Sequence, residues 1–337
     1  MRTSTGLALV AALAAAATGC SQVHYTSTER YDRGLVVCLS GAGGMMGECD
    51  RIRDGLASGG VDRAIEIFDW STGEVLSDQL SVADNRRKAA QLSRRIESYE
   101  RDYPGRPVHV VGVSAGTGLT VWAIEDLADD VKITGAVLIA SSLDTKYDLS
   151  KALARITDHL YSFSSVADTI NSLGVTWAGT VDRGGHLAGG LVGFSPPDNA
   201  SDEAKALYKD KLVQIGWWPG DVILGHLGDH LGATNPNFVR LRIAPLVLGQ
   251  SAAAANGNRN EAAPAAPPAD TKKPAARGPV RHKEPGKDRF RDWKVVDRTP
   301  VQDAGPAAVS TEKRAETADA APPIGDAKFL HEPEKLP

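Results

Sequence analysis

A glycine-X-serine-X-glycine sequence lies in the first half of the chain and supplies Gly112, Ser114 and Gly116. An apolar, mostly β-branched run over residues 108–113 comes before it and is typical of a buried strand. A helix pattern over 117–127 follows at once. At such a turn the serine occupies a strained backbone position, and the two glycines avoid clashes with the neighbouring strand and helix. We therefore predict that Ser114 is a nucleophile facing the positive end of the following helix.

The nucleophile needs a base, and histidine is the usual one because its pKa lies near neutrality. On a strand-turn-helix scaffold of this kind the chain order is serine, then acid, then histidine. His226 and His230 both lie in the loop after the last predicted strand, 212–217, whereas His186 comes before that strand and fits poorly. We favour His230, which lies further into the loop and directly before the segment that leads to the closing helix. His226 is the alternative.

The base in turn needs an acid that orients it. That acid should end the strand that follows the predicted strand 133–140. Asp168 meets this condition because it follows the short predicted strand 159–163. Asp182, which comes after an extended piece at 175–178, is the rival acid, and we favour Asp168.

A second glycine-rich loop, residues 40–44, follows the first predicted strand, 34–39. It lacks the Lys-Ser/Thr pair of a phosphate-binding P-loop, and its glycines are not spaced as in a dinucleotide-binding turn. With a serine turn downstream, it favours a loop whose N–H groups face the negative charge that develops on a carbonyl oxygen. The predicted backbone donors are those of Gly41, Ala42, Gly43 and Ala115. This chemistry needs no metal and no organic cofactor.

Strand and helix patterns alternate from about residue 34 to residue 250. The predicted strands are 34–39, 64–70, 108–113, 133–140, 159–163 and 212–217. The predicted helices are 49–58, 84–103, 117–127, 148–156 and 236–248. This alternation predicts an α/β domain, with a mainly parallel sheet and helices on both faces. Its site should lie at the carboxyl ends of the strands, where the loop 40–44, Ser114, Asp168 and His230 all fall.

Three side chains near these elements have open roles. Trp70 ends the second predicted strand, where it either lines a substrate pocket or plugs the top of the sheet. Cys38 and Cys49 lie on the first strand and on the helix after it. They pair if the compartment is oxidising. Otherwise they are two small buried apolar residues, which is the interpretation that we favour.

The first 20 residues have the pattern of an export signal. Arg2 is followed by an apolar stretch, 6–17, which is too short to span a bilayer as a stable anchor. The small residues before Cys20 resemble a bacterial lipoprotein signal, which is cleaved before Cys20 so that this cysteine carries lipid; an ordinary cleaved signal is the alternative. Lipidation implies an exported protein of the cell envelope, tethered to a membrane by acyl chains. We predict that residues 21–33 form a polar spacer.

The composition changes beyond residue 250, where Ala, Pro and charged residues dominate, so residues 251–337 are predicted to be disordered. Within this tail, residues 271–298 hold ten Lys/Arg and four acidic residues. Such a basic stretch is more often a solvated linker, which we favour over contact with an anionic polymer or lipid surface. The whole chain of 337 residues has a formal net charge of −4, which argues against nucleic acid as its main partner.

Residues 34 to about 249 resemble the α/β-hydrolase superfamily, and are more specifically similar to compact serine hydrolases of unknown substrate predicted in planctomycete-type bacteria. The segments that carry the resemblance are 39–44, 67–70, 104–109, 112–116, 161–168 and 225–230. The resemblance implies an α/β-hydrolase fold with Ser114, Asp168 and His230 as nucleophile, acid and base. The chain departs from many esterases at the loop 40–44, which begins with Ser-Gly where they have His-Gly.

Two functions follow from these observations. The first is a serine hydrolase that cleaves ester or thioester bonds of a small-molecule or lipid-like substrate through an acyl-enzyme on Ser114. The second is a catalytically inactive hydrolase-fold lipoprotein of the envelope, which acts as a binding or scaffolding module. A serine, an acid and a histidine in the expected chain order favour the first.

Overall fold

The computed structural model describes residues 25–44, 47–170 and 179–250. The predicted signal with Cys20, the extended piece 175–178 and the tail 251–337 lie outside the described residues and stay predictions. Within the described ranges, no helix combines the length and the apolar character needed to cross a membrane.

The described part of the chain contains one sheet of six strands. They are β1 (Leu35–Leu39), β2 (Ala64–Phe68), β3 (Val108–Val113), β4 (Gly135–Ile139), β5 (Leu160–Ser164) and β6 (Leu212–Gly216). Their order is β2-β1-β3-β4-β5-β6, and every neighbouring pair is parallel. Each lies on a predicted strand, because a parallel sheet covered on both faces is built from apolar runs. The predicted α/β class is confirmed, and all strands end at the same edge.

Helices cover both faces of the sheet. They are α1 (Thr28–Tyr31), α2 (Glu48–Ser58), α3 (Val75–Leu80), α4 (Val82–Asp102), α5 (Gly116–Glu125), α6 (Ser150–Ala154), α7 (Gly189–Val192), α8 (Asp202–Lys211), α9 (Pro236–Phe238) and α10 (Ala244–Val247). Leu35, Val37 and Leu39 of β1 pack with α4, α5 and α6. The alternate residues Val36 and Cys38 pack with α2 and α10. Because successive side chains of a strand point to opposite faces of the sheet, they pack into two hydrophobic cores, one on each face.

The predicted polar spacer 21–33 is wrong for its described part, which begins at Tyr25. Tyr25 is buried, and its hydroxyl donates to Asp54 over 3.0 Å. The hydroxyl of Tyr31 donates to Glu66 Oε1 over 2.8 Å, and Glu66 is a buried residue of β2. Because hydrogen bonds from their hydroxyls hold both tyrosines, this segment belongs to the folded domain. A pattern of apolar residues does not reveal such hydrogen bonds, so the sequence did not predict them.

The helices differ from the sequence prediction in two ways. The closing helix predicted over 236–248 is interrupted by a π-helical turn, Val239–Ile243, between α9 and α10. The helices α1, α3, α7 and α8 were not predicted. Of the ten residues of α8 only Tyr208 is buried, so the helix has too few apolar residues to be recognised from their spacing. Its one clear signal is Ser201, whose Oγ accepts the N–H of Ala204 over 3.2 Å as an N-terminal cap.

Cys38 and Cys49 are both buried free thiols. Burial raises the pKa of Cys38 to about 12 and also raises that of Cys49. Both side chains pack in the core between the sheet and α2. They are therefore present as small buried apolar residues, the interpretation that the sequence favoured.

Candidate active site

Ser114 lies at the turn between β3 and α5 and has a left-handed φ of +51°. This conformation is strained for a residue with a Cβ and is typical of functional positions. A Cβ at Gly112 would lie 2.5 Å from Thr120 Oγ1, and one at Gly116 would lie 2.2 Å from the carbonyl oxygen of Ser40. Both distances are too short for real atoms, so the clash predicted at these two glycines is confirmed.

Hydrogen bonds hold the backbone of Ser114 on both sides. Its N–H donates to the carbonyl of Ile139, at the end of β4, over 2.9 Å. Its carbonyl accepts from the N–H of Thr117 over 3.0 Å and from the hydroxyl of Thr117 over 2.6 Å. The same hydroxyl lies 2.7 Å from Ser141 Oγ. These bonds offset part of the strain and fix the backbone that carries the serine hydroxyl.

Asp168 and His230 form a buried pair. Nδ1 of His230 lies 2.7 Å from Oδ2 of Asp168, and the two side chains are 8% and 1% exposed. A carboxylate at this distance holds the imidazole in one orientation and favours the tautomer with its proton on Nδ1. Nε2 is then left as a proton acceptor. The structure thus brings together the acid and the base that the sequence favoured.

The loops that carry this pair are joined to each other. Trp217, which follows β6, donates its N–H to the carbonyl of Ser164 at the end of β5 over 2.7 Å. Further along, the hydroxyl of Ser165 donates to the carbonyl of Gly228 over 2.7 Å. Because β5 and β6 are parallel neighbours, both loops leave the sheet at its carboxyl edge. The short contact between acid and histidine is therefore supported by the surrounding backbone.

The segment after His230 runs back towards α2. Thr234 Oγ1 accepts from two nitrogens of Arg51 in α2, Nε at 3.2 Å and Nη2 at 3.0 Å. α2 begins a few residues after Gly41, and a Cβ at Gly41 would lie 3.1 Å from Ser114 Cβ. The loop after β5 that carries Asp168 is called the acid loop below. The histidine therefore lies on a segment that crosses from the acid loop to the elements beside the serine.

The alternatives His226 and Asp182 have other partners. His226 is buried, its Nδ1 accepts the N–H of Gly228 over 3.3 Å, and its ring packs edge-on against Phe238. Burial lowers the pKa of His226. Asp182 Oδ1 accepts the N–H of Asp144 over 3.0 Å, and burial raises its pKa. Each side chain is engaged in holding a loop together, so these contacts do not favour either as acid or base.

Two of the four predicted oxyanion donors already have acceptors. The N–H of Gly41 donates to Glu48 Oε1 over 2.9 Å, and the N–H of Gly43 donates to Asp78 Oδ2 over 2.9 Å. Both carboxyl groups are buried. The prediction for Gly41 and Gly43 is therefore corrected, because an N–H committed to a buried carboxyl group is not free to stabilise a substrate oxygen.

Ala42 and Ala115 are the predicted donors that stay available. Within the described ranges, neither N–H makes a hydrogen bond. Ala115 directly follows Ser114 and directly precedes α5, so its N–H lies at the positive end of a helix of ten residues. Ala42 lies in the loop that packs against the serine. A carbonyl oxygen that bonds both N–H groups would be stabilised as its negative charge develops.

Sequence reasoning missed Glu48 and Asp78 and left the role of Trp70 open. Trp70 is buried, and its Nε1–H donates to the carbonyl of Ser40 over 2.8 Å, so it plugs the sheet and supports the loop. Glu48 is the first residue of α2, and an acid at a helix start is a signal that could have been used. Asp78 is 35 residues from its partner Gly43, and no local pattern links them.

Exposed apolar side chains surround these loops. On α3, Val75 and Leu76 are exposed, and a Cβ at Gly43 would lie 2.6 Å from Val75 Cγ2. Val166 in the acid loop is 79% exposed. Leu227 lies in the loop after β6 that carries His230, called the histidine loop below, and is 64% exposed. The carboxyl edge of the sheet therefore presents apolar surface beside the buried polar pair.

No family model matches the chain, and a search of curated proteins gives no match. Among solved structures, the chain is similar to a cutinase-like protein from Cryptococcus sp., at 15% identity and a TM-score of 0.37, over 67% of this chain and 99% of that one. It is similar to Aspergillus fumigatus lipase B at 12% identity and a TM-score of 0.39, over 68% of this chain and 55% of that one. It is also similar to a carboxylesterase from Bacillus subtilis at 11% identity and a TM-score of 0.30, over 65% and 85%. The match thus spans about half the length of lipase B. At these TM-scores the similarity carries no inference about activity, which has to come from the side chains of this chain.

Proposed function

We propose that this protein is a serine hydrolase that cleaves ester or thioester bonds through an acyl-enzyme on Ser114. The observation that carries the proposal is the buried contact of 2.7 Å between His230 Nδ1 and Asp168 Oδ2. It lies on loops that leave the same edge of the sheet as the strained serine turn. Nucleophilic catalysis needs a serine held at such a turn and a histidine oriented by an acid. Packing alone requires neither the strain nor the buried pair.

Acylation begins when Ser114 Oγ forms a bond to the carbonyl carbon while Nε2 of His230 takes the hydroxyl proton. The electron pair of the carbonyl π bond moves to the oxygen, which accepts hydrogen bonds from Ala42 and Ala115. The carbonyl then re-forms, and the bond to the leaving alcohol or thiol breaks as that group receives the proton from His230. In deacylation His230 takes a proton from water, the hydroxide adds to the acyl carbon, and Ser114 leaves with the proton.

Asp168 acts on the charge that appears on His230 during each proton transfer. The imidazolium forms 2.7 Å from the carboxylate, in a site where little solvent screens the attraction. The carboxylate also prevents the ring from turning its Nδ1 towards the serine. Both effects favour the transition state over the resting enzyme, which is the requirement for catalysis.

A small-molecule or lipid-like ester is the substrate class that we propose. The support is the apolar surface on α3 and on the acid and histidine loops, represented by Val75, Val166 and Leu227. Apolar acyl chains bury against such surface at a gain of about 25 cal/mol per Å². Among p-nitrophenyl esters, we therefore expect kcat/KM to rise from acetate to longer acyl chains.

The experiment that tests the proposal measures hydrolysis of p-nitrophenyl esters by the full chain and by three variants. Ser114→Ala and His230→Ala are expected to reduce kcat by about 10⁴-fold or more. His226→Ala is the matched control, since it removes a buried histidine from the same loop, and its kcat is expected to stay within about tenfold of the parent. Unchanged hydrolysis by Ser114→Ala would refute the mechanism. A folded parent protein with no hydrolysis would favour the inactive binding module.

We also propose that the protein is exported and carries lipid on Cys20. The support is the sequence pattern of residues 1–20. Expressed in a bacterium, the parent chain is expected to enter the detergent phase and to yield an N-terminal peptide with acyl mass. Cys20→Ser is expected to stay in the aqueous phase with no acyl mass. Equal partition of the two chains would contradict lipidation.

A further inference from the structure

Carboxyl groups from two helices hold the loop 40–44. Glu48 of α2 accepts the N–H of Gly41, and Asp78 of α3 accepts the N–H of Gly43. In the part of the chain that the structure describes, the N–H between them, that of Ala42, has no acceptor. Gly41 and Gly43 are buried, and buried backbone N–H groups are almost always paired. Ala42 between them is only partly buried, so its N–H needs no protein acceptor and is available to a ligand.

We propose that Glu48 and Asp78 are positioning residues, which hold the backbone on either side of Ala42 and so direct the Ala42 N–H towards the substrate carbonyl oxygen. Neither carboxyl group is assigned a contact with the reacting atoms, and each acts through the peptide group that it binds. The proposal rests on the proposed function, because it concerns how the same site stabilises its oxyanion.

Asp78 has every acceptor position used. Oδ2 accepts from the Gly43 N–H and from the hydroxyl of Ser71, and Oδ1 accepts from the N–H of Thr72 over 2.9 Å and from its hydroxyl over 2.7 Å. Burial raises the pKa of Asp78, but these hydrogen bonds outweigh burial and the pKa lies below its ordinary 3.8. The group is therefore ionised at neutral pH and is a strong acceptor for the loop.

The segment around α3 also packs closely on the loop. Gly43 and Gly44 have φ values of +85° and +57°, which favour glycine. A Cβ at Gly43 would lie 2.6 Å from Val75 Cγ2, and one at Gly44 would lie 2.8 Å from Ser71 Cβ. The loop therefore has little room to move unless the segment from Ser71 to Asp78 moves with it.

Glu48 is costly for stability, which points to a functional reason for its presence. It is buried, and within the described residues its Oε2 has no hydrogen-bond partner. Burying a carboxyl group with so few donors costs free energy that an apolar side chain of the same length would avoid. Its Oε1 binds Gly41, and a Cβ at Gly41 would be 3.7 Å both from that oxygen and from Ser114 Oγ. The carboxyl group thus holds the peptide that packs directly on the serine.

The test uses the full chain and four variants. In Asp78→Asn one acceptor oxygen becomes a donor, so the side chain no longer accepts from both Gly43 and Thr72. Glu48→Met keeps the length of the side chain and removes the acceptor, whereas Glu48→Gln keeps an acceptor for Gly41. Glu74→Gln is the matched control, because Glu74 is an exposed carboxylate just before α3. For each protein we would measure kcat, KM, the melting temperature and the inhibition constant of an alkyl boronic acid, whose serine adduct mimics the transition state.

Asp78→Asn and Glu48→Met are expected to lower kcat about 10- to 100-fold, to leave KM within about twofold, and to weaken boronic acid binding by a similar factor. Glu48→Gln and Glu74→Gln are expected to stay close to the parent. If Asp78→Asn does not fold, the pair Glu48→Met and Glu48→Gln decides the matter. A lower melting temperature with unchanged kcat and boronic acid affinity would show a purely structural role and overturn the proposal. An inactive parent would instead refute the proposed function, and the positioning role with it.

Discussion

His109 is buried in the central strand β3, and we expect it to make the protein sensitive to acid. It is 2% exposed, and its Nδ1 lies 3.2 Å from Nη1 of Arg63. Burial lowers the pKa of His109 from 6.5 to about 3, and the positive charge of Arg63 adds to this effect. The unfolded chain therefore takes up a proton as the pH falls through 6.5, whereas the folded protein does not until about pH 3.

The sign and size of the effect follow from this difference. The folded pKa lies below the unfolded one, so stability is lost as the pH falls from 6.5 towards 3. Each pH unit inside that window costs about 1.4 kcal/mol. His109 alone is therefore expected to reduce the free energy of unfolding by roughly 2–3 kcal/mol between pH 7 and pH 4.5. That is a large part of the roughly 5–15 kcal/mol that stabilises a typical domain.

The assay is urea unfolding followed by tryptophan fluorescence from pH 4.5 to pH 8. His109→Asn places an amide oxygen near the position of Nδ1, so it keeps an acceptor for Arg63 and removes the titration. The variant is expected to be less stable at pH 7, because ring volume is lost, but to lose about 2–3 kcal/mol less than the parent on going to pH 4.5. His186→Asn is the control, because that side chain is 61% exposed, and it should keep the steep acid loss. Equal acid slopes in His109→Asn and the parent would refute the reasoning.

Three further substitutions, one of them with a matched control, test the fold and the site. Gly116→Ala puts a Cβ 2.2 Å from a backbone carbonyl and is expected to lower the free energy of unfolding by about 1–3 kcal/mol in urea. Gly185→Ala is the control, because an added Cβ there would have no atom within 4 Å apart from its chain neighbours, so the free energy of unfolding should stay unchanged. Equal losses in the two variants would contradict the clash. Tyr31→Phe removes one donor to the buried Glu66, which also accepts from Arg95, and is expected to cost about 1–3 kcal/mol in the same assay. No loss of stability would mean that this bond does not anchor the segment to the domain. Asp168→Asn should lower kcat on p-nitrophenyl esters about 10⁴-fold with little change in KM, because the amide no longer selects the productive tautomer, and a kcat near the parent's would exclude it as the orienting acid.

The sequence was most informative where burial and chain order constrain the structure together. Each of the six strands was predicted, because apolar runs between helices are what a sheet covered on both faces requires. Asp168 and His230 are 62 residues apart, yet both were placed at the carboxyl edge by the order of strands alone. The glycines beside Ser114 were predicted to avoid clashes, and the short distances at both positions bear this out.

The sequence was least informative where single polar contacts join distant segments. The bond from Tyr31 to Glu66 turns a polar stretch into part of the domain, and no periodicity marks it. The contact between Asp78 and Gly43 spans 35 residues and changes which N–H groups of the loop are free. Such contacts depend on the three-dimensional path of the chain, because one hydrogen bond leaves no repeating pattern in the sequence.

Covalent labelling of Ser114 tests the proposed nucleophile most directly. The full chain would be treated with an alkyl fluorophosphonate, and the adduct rate would be followed by intact mass, with the site assigned by peptide mapping. We expect one adduct on Ser114, absent in Ser114→Ala, at least about 100-fold slower in His230→Ala, and close to the parent rate in His226→Ala. A folded protein that forms no adduct would contradict an activated Ser114. A rate of adduct formation that His230→Ala leaves unchanged would contradict His230 as the base that activates it.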